Sequence, residues 1–203
     1  LIGPNGAGKT TLVNVCTGVY RPSKGRIHFD RRSIAGLPDH RVAHLGMART
    51  FQIVQPFPKM SVLENVMAAA LFGGGIRQMG EARDFAAQQL EFVGLQAYAD
   101  RPAAALSLAH RKRLELAKSL ALKPRLVWLD EVNAGLNSDD LANTLEVIRR
   151  IAARGITIVM IEHLMKVVLG VSSRILVLKN GALIADAIDL VVDKRFEPDR
   201  AWA

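Results

Sequence analysis

The sequence predicts an α/β fold in which a mostly parallel sheet is covered by helices and carries an inserted helical segment. Three observations lead there. A glycine-rich loop, GPNGAGKTT, joins the strand-like pair Leu1-Ile2 to a helical pattern. Two continuous apolar runs, RLVWLDE and ITIVMIEH, flank one amphipathic helix, and both end in polar residues. Strands that are apolar at nearly every position are buried on both faces, as parallel strands are when helices cover the sheet. From Met60 to about Lys123 the pattern turns helical, which predicts the insertion.

Taken in order, Leu1-Ile2 read as the end of a buried strand, and TLVNVCTGV as a buried helix that stops near Gly18. RPSKG has turn chemistry and RIHFD alternates as a short strand. LPDHRVAHLG reads as a short helix with Asp39 near its start, and MARTFQ as a strand. SVLENVMAAALF, EARDFAAQQLEFVGL and SLAHRKRLELAKSLAL supply the inserted helices. RLVWLDE is a strand, LANTLEVIRRIAARG an amphipathic helix ended by Gly155, and ITIVMIEH the next strand. RILVLKNGALIAD places Asn-Gly between two strand-like runs, a strong hairpin signal.

Composition narrows the function classes. With 203 residues, 50% of them apolar, the chain can bury one sizeable core. Its longest apolar stretch, MSVLENVMAAALFGGGI, is interrupted by Glu64 and Asn65, and falls short of the ~20 clean residues of a membrane-spanning helix. The lone Cys16 provides no disulfide framework and fits a reducing compartment. The net charge of +8 suits nucleic acid, an anionic membrane surface or phosphorylated ligands. The basic residues are scattered, however, and aromatic residues are not interleaved with them as a single-strand-binding groove requires.

The chemistry begins at the loop. Gly3-Pro4-Asn5-Gly6-Ala7-Gly8-Lys9-Thr10 has the phosphate-loop spacing, with Thr11 next. Glycines let backbone N–H groups curl around phosphate oxygens, and the following helix adds its positive end. Lys9 is placed to reach the β- and γ-phosphates, and the Thr10 hydroxyl to ligate Mg²⁺. RLVWLDE delivers Asp130 and Glu131 to a carboxyl edge, where parallel sheets hold ligands. Asp130 is the expected magnesium carboxylate, and Glu131 the group that polarises the attacking water. Glu162 and His163 end a second strand after a strand–helix–strand spacing that brings both ends to one edge. A helix starting at Ser107 puts His110, Arg111, Lys112 and Arg113 near its positive end, at a cost of ~0.3–1 kcal/mol per exposed cation. Either this is a solvated helix start, or an anion comes to it.

Read together, these pieces resemble the ATP-binding subunits of ABC transporters over nearly the whole chain: GPNGAGKTT matches Walker A and RLVWLDE matches Walker B. The wording GMARTFQ, SVLENV, AGLN and IEH-x-M looks most like the branched-chain amino-acid importer subset. The resemblance implies a P-loop NTPase with a RecA-like core, and N-terminal strands missing from this sequence together with the aromatic that stacks on adenine. Residues 1–203 are then one nucleotide-binding domain, with a catalytic core at 1–59 and 120–203 and a helical subdomain at 60–119. It further implies ATP and Mg²⁺ as cofactors and ATP hydrolysis that energises solute import. Catalytic roles fall to Glu131 and Lys9, to Gln52 as γ-phosphate sensor and metal ligand beside Thr10 and Asp130, and to His163 as switch histidine. LSLAH occupies the LSGGQ signature position, whose helix caps ATP bound by a partner subunit, so Ser107, Leu108, Ala109 and His110 address the partner's nucleotide. Here Leu108 and Ala109 replace both glycines, His110 the glutamine, Val132 the usual proline, and Asn137 the D-loop aspartate.

The implied partners are a second ATP-binding subunit, with a heterodimer favoured over a homodimer, and integral permease subunits. No specific nucleic acid is expected. The implied location is peripheral, on the cytoplasmic face of the inner membrane, with PFPKMSVLENVMAAA offered to the permease. Two other readings stay open at this point. One is a soluble ATPase of the same class acting on nucleic acid or the ribosome; the other is a nucleotide-dependent interaction module with little turnover.

Overall fold

The computed structural model describes residues 1–50 and 56–188. The chain runs α1 (Lys9–Cys16), β1 (His28–Phe29), β2 (Arg32–Ser33), α2 (Asp39–His44), β3 (Met47–Arg49), α3 (Val62–Phe72), α4 (Met79–Phe92) and α5 (Leu108–Ala121). It continues through β4 (Leu126–Asp130), α6 (Ser138–Ala153), β5 (Thr157–Ile161), α7 (Met165–Val171), β6 (Arg174–Lys179) and β7 (Ala182–Ile188).

Strands β3, β4 and β5 form a parallel sheet in that order. Leu1-Ile2 extend it: the Leu1 nitrogen donates to Met160 O, and Ile2 bridges Val177 of β6 in parallel. β6 and β7 close the far side as an antiparallel hairpin, turned by Asn180 and Gly181, both with positive φ as this tight turn demands. The consequence for function is geometric. Ile2, Thr50, Asp130 and Ile161 all point their carboxyl ends to one edge of a parallel sheet, the edge where such folds hold ligands.

The inserted helices are built by local rules. Ser61 accepts from Glu64 N while the Glu64 carboxylate accepts from Ser61 N, a reciprocal cap worth ~1 kcal/mol or more to α3. Val62, Val66 and Ala70 then face inward at helical spacing, against Ala82, Ala86 and Leu90 of α4 and Leu114, Ala117 and Ala121 of α5. The same apolar cluster continues into Val127 and Leu129 of β4 and Val147, Ile148 and Ile151 of α6. A second cluster, Val13, Ile34, Val42, Met47, Trp128 and Ile161, packs the opposite face of the sheet. The parallel sheet with helices on both faces is the architecture its apolar runs predict.

Two details differ from expectation, and a third bears on the permease surface. RIHFD yields only a two-residue strand, because Asp30 and Arg31 both turn left-handed and fold it back onto Arg32–Ser33. The helix α7 was not legible: its seven residues are too short for a periodic signal. The apolar positions of SVLENVMAAA mostly pack inward, with Val62, Leu63, Val66 and Ala70 buried; within the stretch offered to the permease, Phe57, Pro58, Lys59 and Glu64 are the exposed residues.

Candidate active site

The glycine-rich loop leaves the sheet at Ile2 and turns back on itself through three positive-φ glycines, Gly3, Gly6 and Gly8. At Gly3 the fold leaves no choice, since a Cβ there would lie 2.1 Å from Leu178 O of the neighbouring strand. Gly8 caps α1 in the left-handed conformation, so the first amides of α1 face the loop's interior. Lys9 is only 7% exposed, and its Nζ donates to Gly3 O at 2.8 Å and Pro4 O at 3.0 Å. The ammonium therefore lies across the loop, where a polyphosphate would meet it. Pro4, Asn5, Gly6, Thr10 and Thr11 are exposed around it, while Ala7 is buried and fastened to the hairpin by Gly181 N→Ala7 O at 2.9 Å.

Asp130 ends β4 with its side chain buried, and Arg49 NH2 donates to Asp130 Oδ2 at 3.0 Å. Arg49 also donates through NH1 to Asn14 Oδ1 of α1, so one guanidinium ties the loop's helix to the strand-end acid. The Thr50 hydroxyl accepts from Asp130 N at 3.3 Å. Glu131 follows in a left-handed conformation, φ 49°, costly for a residue with a Cβ and held by Glu131 N→Ile161 O at 3.1 Å. Its carboxylate meets His163: Nε2 lies 2.6 Å from Glu131 Oε1. A carboxylate only accepts, so the proton between them resides on Nε2.

Behind this pair lies Glu162, a carboxylate 3% exposed that accepts from Asn133 Nδ2 at 2.7 Å and Asn133 N at 3.3 Å. Burial raises its pKa above the ordinary carboxylate value, the Asn133 and His163 hydrogen bonds oppose that, and the nearby Glu131 charge adds to it. From α5, Lys112 reaches in: its Nζ donates to Glu131 O at 3.3 Å and to Ala134 O. Burial lowers the Lys112 pKa, and the Glu162 and Glu131 charges oppose that.

The fold thus brings Lys9, Asp130, Glu131 and His163 to one sheet edge. Gln52 lies outside the described residues. Ser107 caps α5, accepting from His110 N at 3.3 Å, which leaves its hydroxyl proton for another acceptor. Leu108 is 48% exposed and its Cδ2 lies against Gly135, where a Cβ would meet it at 3.2 Å; Ala109 is buried. The His110 ring packs against Tyr98 with centroids 4.4 Å apart and the planes tilted by 46°, and burial, assisted by Arg113, lowers its pKa while Asp140 opposes the shift. The cations that looked misplaced are only partly at the helix end. Arg111 turns back to Ala104 O at 2.9 Å, and Lys112 is drawn under the Glu131 turn.

Sequence reasoning missed Arg49, Asn14, Asn133, Glu162 as a buried acid, and the target of Lys112. None has a motif of its own, because each acts through a partner distant in sequence. Among the described residues no group of three His, Cys, Asp or Glu could hold a metal. Magnesium does not require one: it keeps waters and phosphate oxygens, and takes one or two ligands from protein. The Thr10 hydroxyl and the Asp130 carboxylate are hard oxygen donors that fit that demand.

Comparison with known proteins gives one consistent picture. A family model described as ABC transporter matches residues 1–134. The high-affinity branched-chain amino acid transport ATP-binding protein BraF of Pseudomonas aeruginosa is 40% identical over 202 residues, covering 92% of this chain and 78% of its own length. LivG of Escherichia coli, of the same description, is 40% identical over 200 residues with the same coverages. Among solved structures, a nucleotide-free ATP-binding cassette from an ABC transporter superposes with a TM-score of 0.85 at 32% identity, over 93% of this chain and 79% of that one. A cassette in its ADP conformation gives 0.84, also at 32% identity, over 92% and 78%.

Proposed function

The chain belongs to the ABC transporter family of ATP-binding subunits, and from that premise we propose that it hydrolyses ATP to energise import of branched-chain or closely related amino acids. Membership places it among the P-loop ATPases. The amino-acid substrate is inferred from relatives at 40% identity whose names specify branched-chain amino acid transport. The single observation that carries the chemistry is the convergence of Lys9, Asp130, Glu131 and His163 on one sheet edge, with Glu131 and His163 in hydrogen-bond contact.

Each residue's role follows from its position. The backbone from Gly3 to Thr11 cradles the phosphates, and Lys9 swings from its two carbonyls to the β/γ-phosphate oxygens. Magnesium, when bound, neutralises phosphate charge; Thr10 and Asp130, with Gln52, would hold it. Asp130 would then share its carboxylate between Arg49 and the ion. Glu131 takes a proton from the attacking water, and His163 holds that carboxylate in place and faces the γ-phosphate. Residues 60–119 act as a helical subdomain, and Ser107 at its signature helix contacts ATP held by a second ATP-binding subunit. Leu108 and Ala109 put side chains where close backbone approach favours glycine, so this chain's own Walker face is the stronger of the two surfaces it offers. That asymmetry favours a heterodimer over a homodimer, because a second subunit with an intact signature completes this chain's own site.

No helix among the described residues is long and apolar enough to cross a membrane. The relatives' role as transport ATP-binding proteins supports a peripheral place, against permease subunits on the cytoplasmic face. Gentle solubilisation of native membranes and affinity capture of the full-length protein should recover integral permease subunits and a second ATP-binding subunit. Recovery with ribosomes or nucleic acid instead would refute the importer reading.

A further inference from the structure

We propose that Lys112 is a positioning residue: it fastens the turn that carries Glu131 to the signature helix, so the seating of that helix sets the geometry of this chain's own hydrolytic carboxylate. The inference rests on the ATPase reading above. It starts from a strained turn. Glu131 holds φ 49°, a conformation that is costly for a β-substituted residue and persists only where its surroundings enforce it. The amide side of the turn is held by Ile161 O at 3.1 Å. The carbonyl side is held by two donors, Ala134 N at 3.1 Å and Lys112 Nζ at 3.3 Å. Nζ also donates to Ala134 O, so one ammonium bridges both ends of the Glu131–Ala134 turn.

The chemistry of Lys112 fits this role and suits no surface one. It is 6% exposed, so its charge has left water, at an energy cost that carbonyls and carboxylates must offset. It finds the carbonyls of Glu131 and Ala134, and the negative charges of Glu162 and Glu131 act on it. Leu108 and Lys112 are one turn apart on α5 and share a face. Leu108 touches Gly135, and Lys112 holds the residues just before it. The helix whose Ser107 serves a partner's ATP is thus anchored at two points to the loop that begins with this chain's Glu131. A small displacement of α5 moves the Glu131 backbone through a short rigid link.

The test compares full-length wild type with Lys112→Met, which keeps the stem but not the donors, and Lys112→Arg, which keeps charge and donors. We expect the Met variant to lose at least about tenfold in kcat while its KM and ATP affinity stay within about twofold of wild type. The Arg variant should recover to within about threefold of wild-type kcat. In a Glu131→Gln background the Met change should cost nothing further, because Lys112 acts through Glu131. The proposal is overturned by any of three results: a Met variant with wild-type kcat, a Met variant that loses ATP affinity in step with turnover, or an Arg variant as slow as Met. If the Met variant does not fold, Lys112→Leu, which also removes the donors, carries the same comparison. Wild-type protein that neither binds nor hydrolyses Mg-ATP would instead overturn the ATPase reading, and the role of Lys112 with it.

Discussion

Glu131→Gln should reduce ATP turnover by about 10²–10⁴-fold while leaving ATP affinity intact. The substitution is isosteric, keeps the hydrogen bond to His163 available through the amide oxygen, and does not disturb the left-handed backbone held by Ile161 O. What it removes is the capacity to accept a proton. Phosphate release under saturating Mg-ATP measures the loss, and equilibrium nucleotide binding measures what is retained. In the purified complex this change should cost more than the equivalent change in the second ATP-binding subunit, because that subunit's nucleotide faces the Leu108-Ala109 signature. Equal losses would contradict the asymmetry between the two composite sites. Variants that bind ATP and still turn over at wild-type rate would remove Glu131 from the chemistry.

Lys9→Met acts one step earlier. Its Nζ is buried over the loop and rests on Gly3 O and Pro4 O, both neutral acceptors that a phosphate replaces with charge. Truncating one partner of such a buried charged contact costs ~2–5 kcal/mol, which corresponds to a Kd weaker by about 30- to 5,000-fold. Met fills most of the vacated volume, so thermal unfolding should shift little. Titration with a fluorescent ATP analogue reads the effect, and a Kd within about threefold of wild type would show that the loop does not hold the nucleotide through this ammonium. The two variants separate binding from hydrolysis: Lys9→Met fails at the first, Glu131→Gln only at the second.

Much of the fold was legible because its signals are local. RLVWLDE and ITIVMIEH read as parallel strands and are adjacent and parallel in register, but only β4 is buried almost throughout; the first half of β5, Thr157 to Val159, stays exposed or half-buried. Ser107 announced a helix start that the structure caps through its side chain, and Ser61 with Glu64, and Asn137, cap two further helices in the same way. The Asn-Gly hairpin formed as its positive-φ requirement dictates. Within the candidate site, the residues with a motif are the ones the sequence offers, and the fold brings the loop, Asp130, Glu131 and His163 to one sheet edge. The residues without one were not legible. Arg49 meets Asp130, and Asn14 meets Arg49, only because β3 lies beside β4 and α1 packs against both. Lys112 looked like a solvated charge at an unfavourable helix end, and its target became visible only once α5 was placed against the Glu131 turn. Tertiary proximity, which carries no sequence periodicity, decided each of these.

The central claim is that chemistry at Glu131 drives amino-acid import. Right-side-out vesicles make that directly measurable: membrane vesicles from the native cell, loaded with Mg-ATP and presented with the extracytoplasmic binding protein and labelled leucine, should accumulate leucine with wild-type protein. Vesicles carrying Glu131→Gln in place of wild type should lose that accumulation while keeping the subunit on the membrane. Leucine uptake that continues undiminished in the Glu131→Gln vesicles would contradict the account.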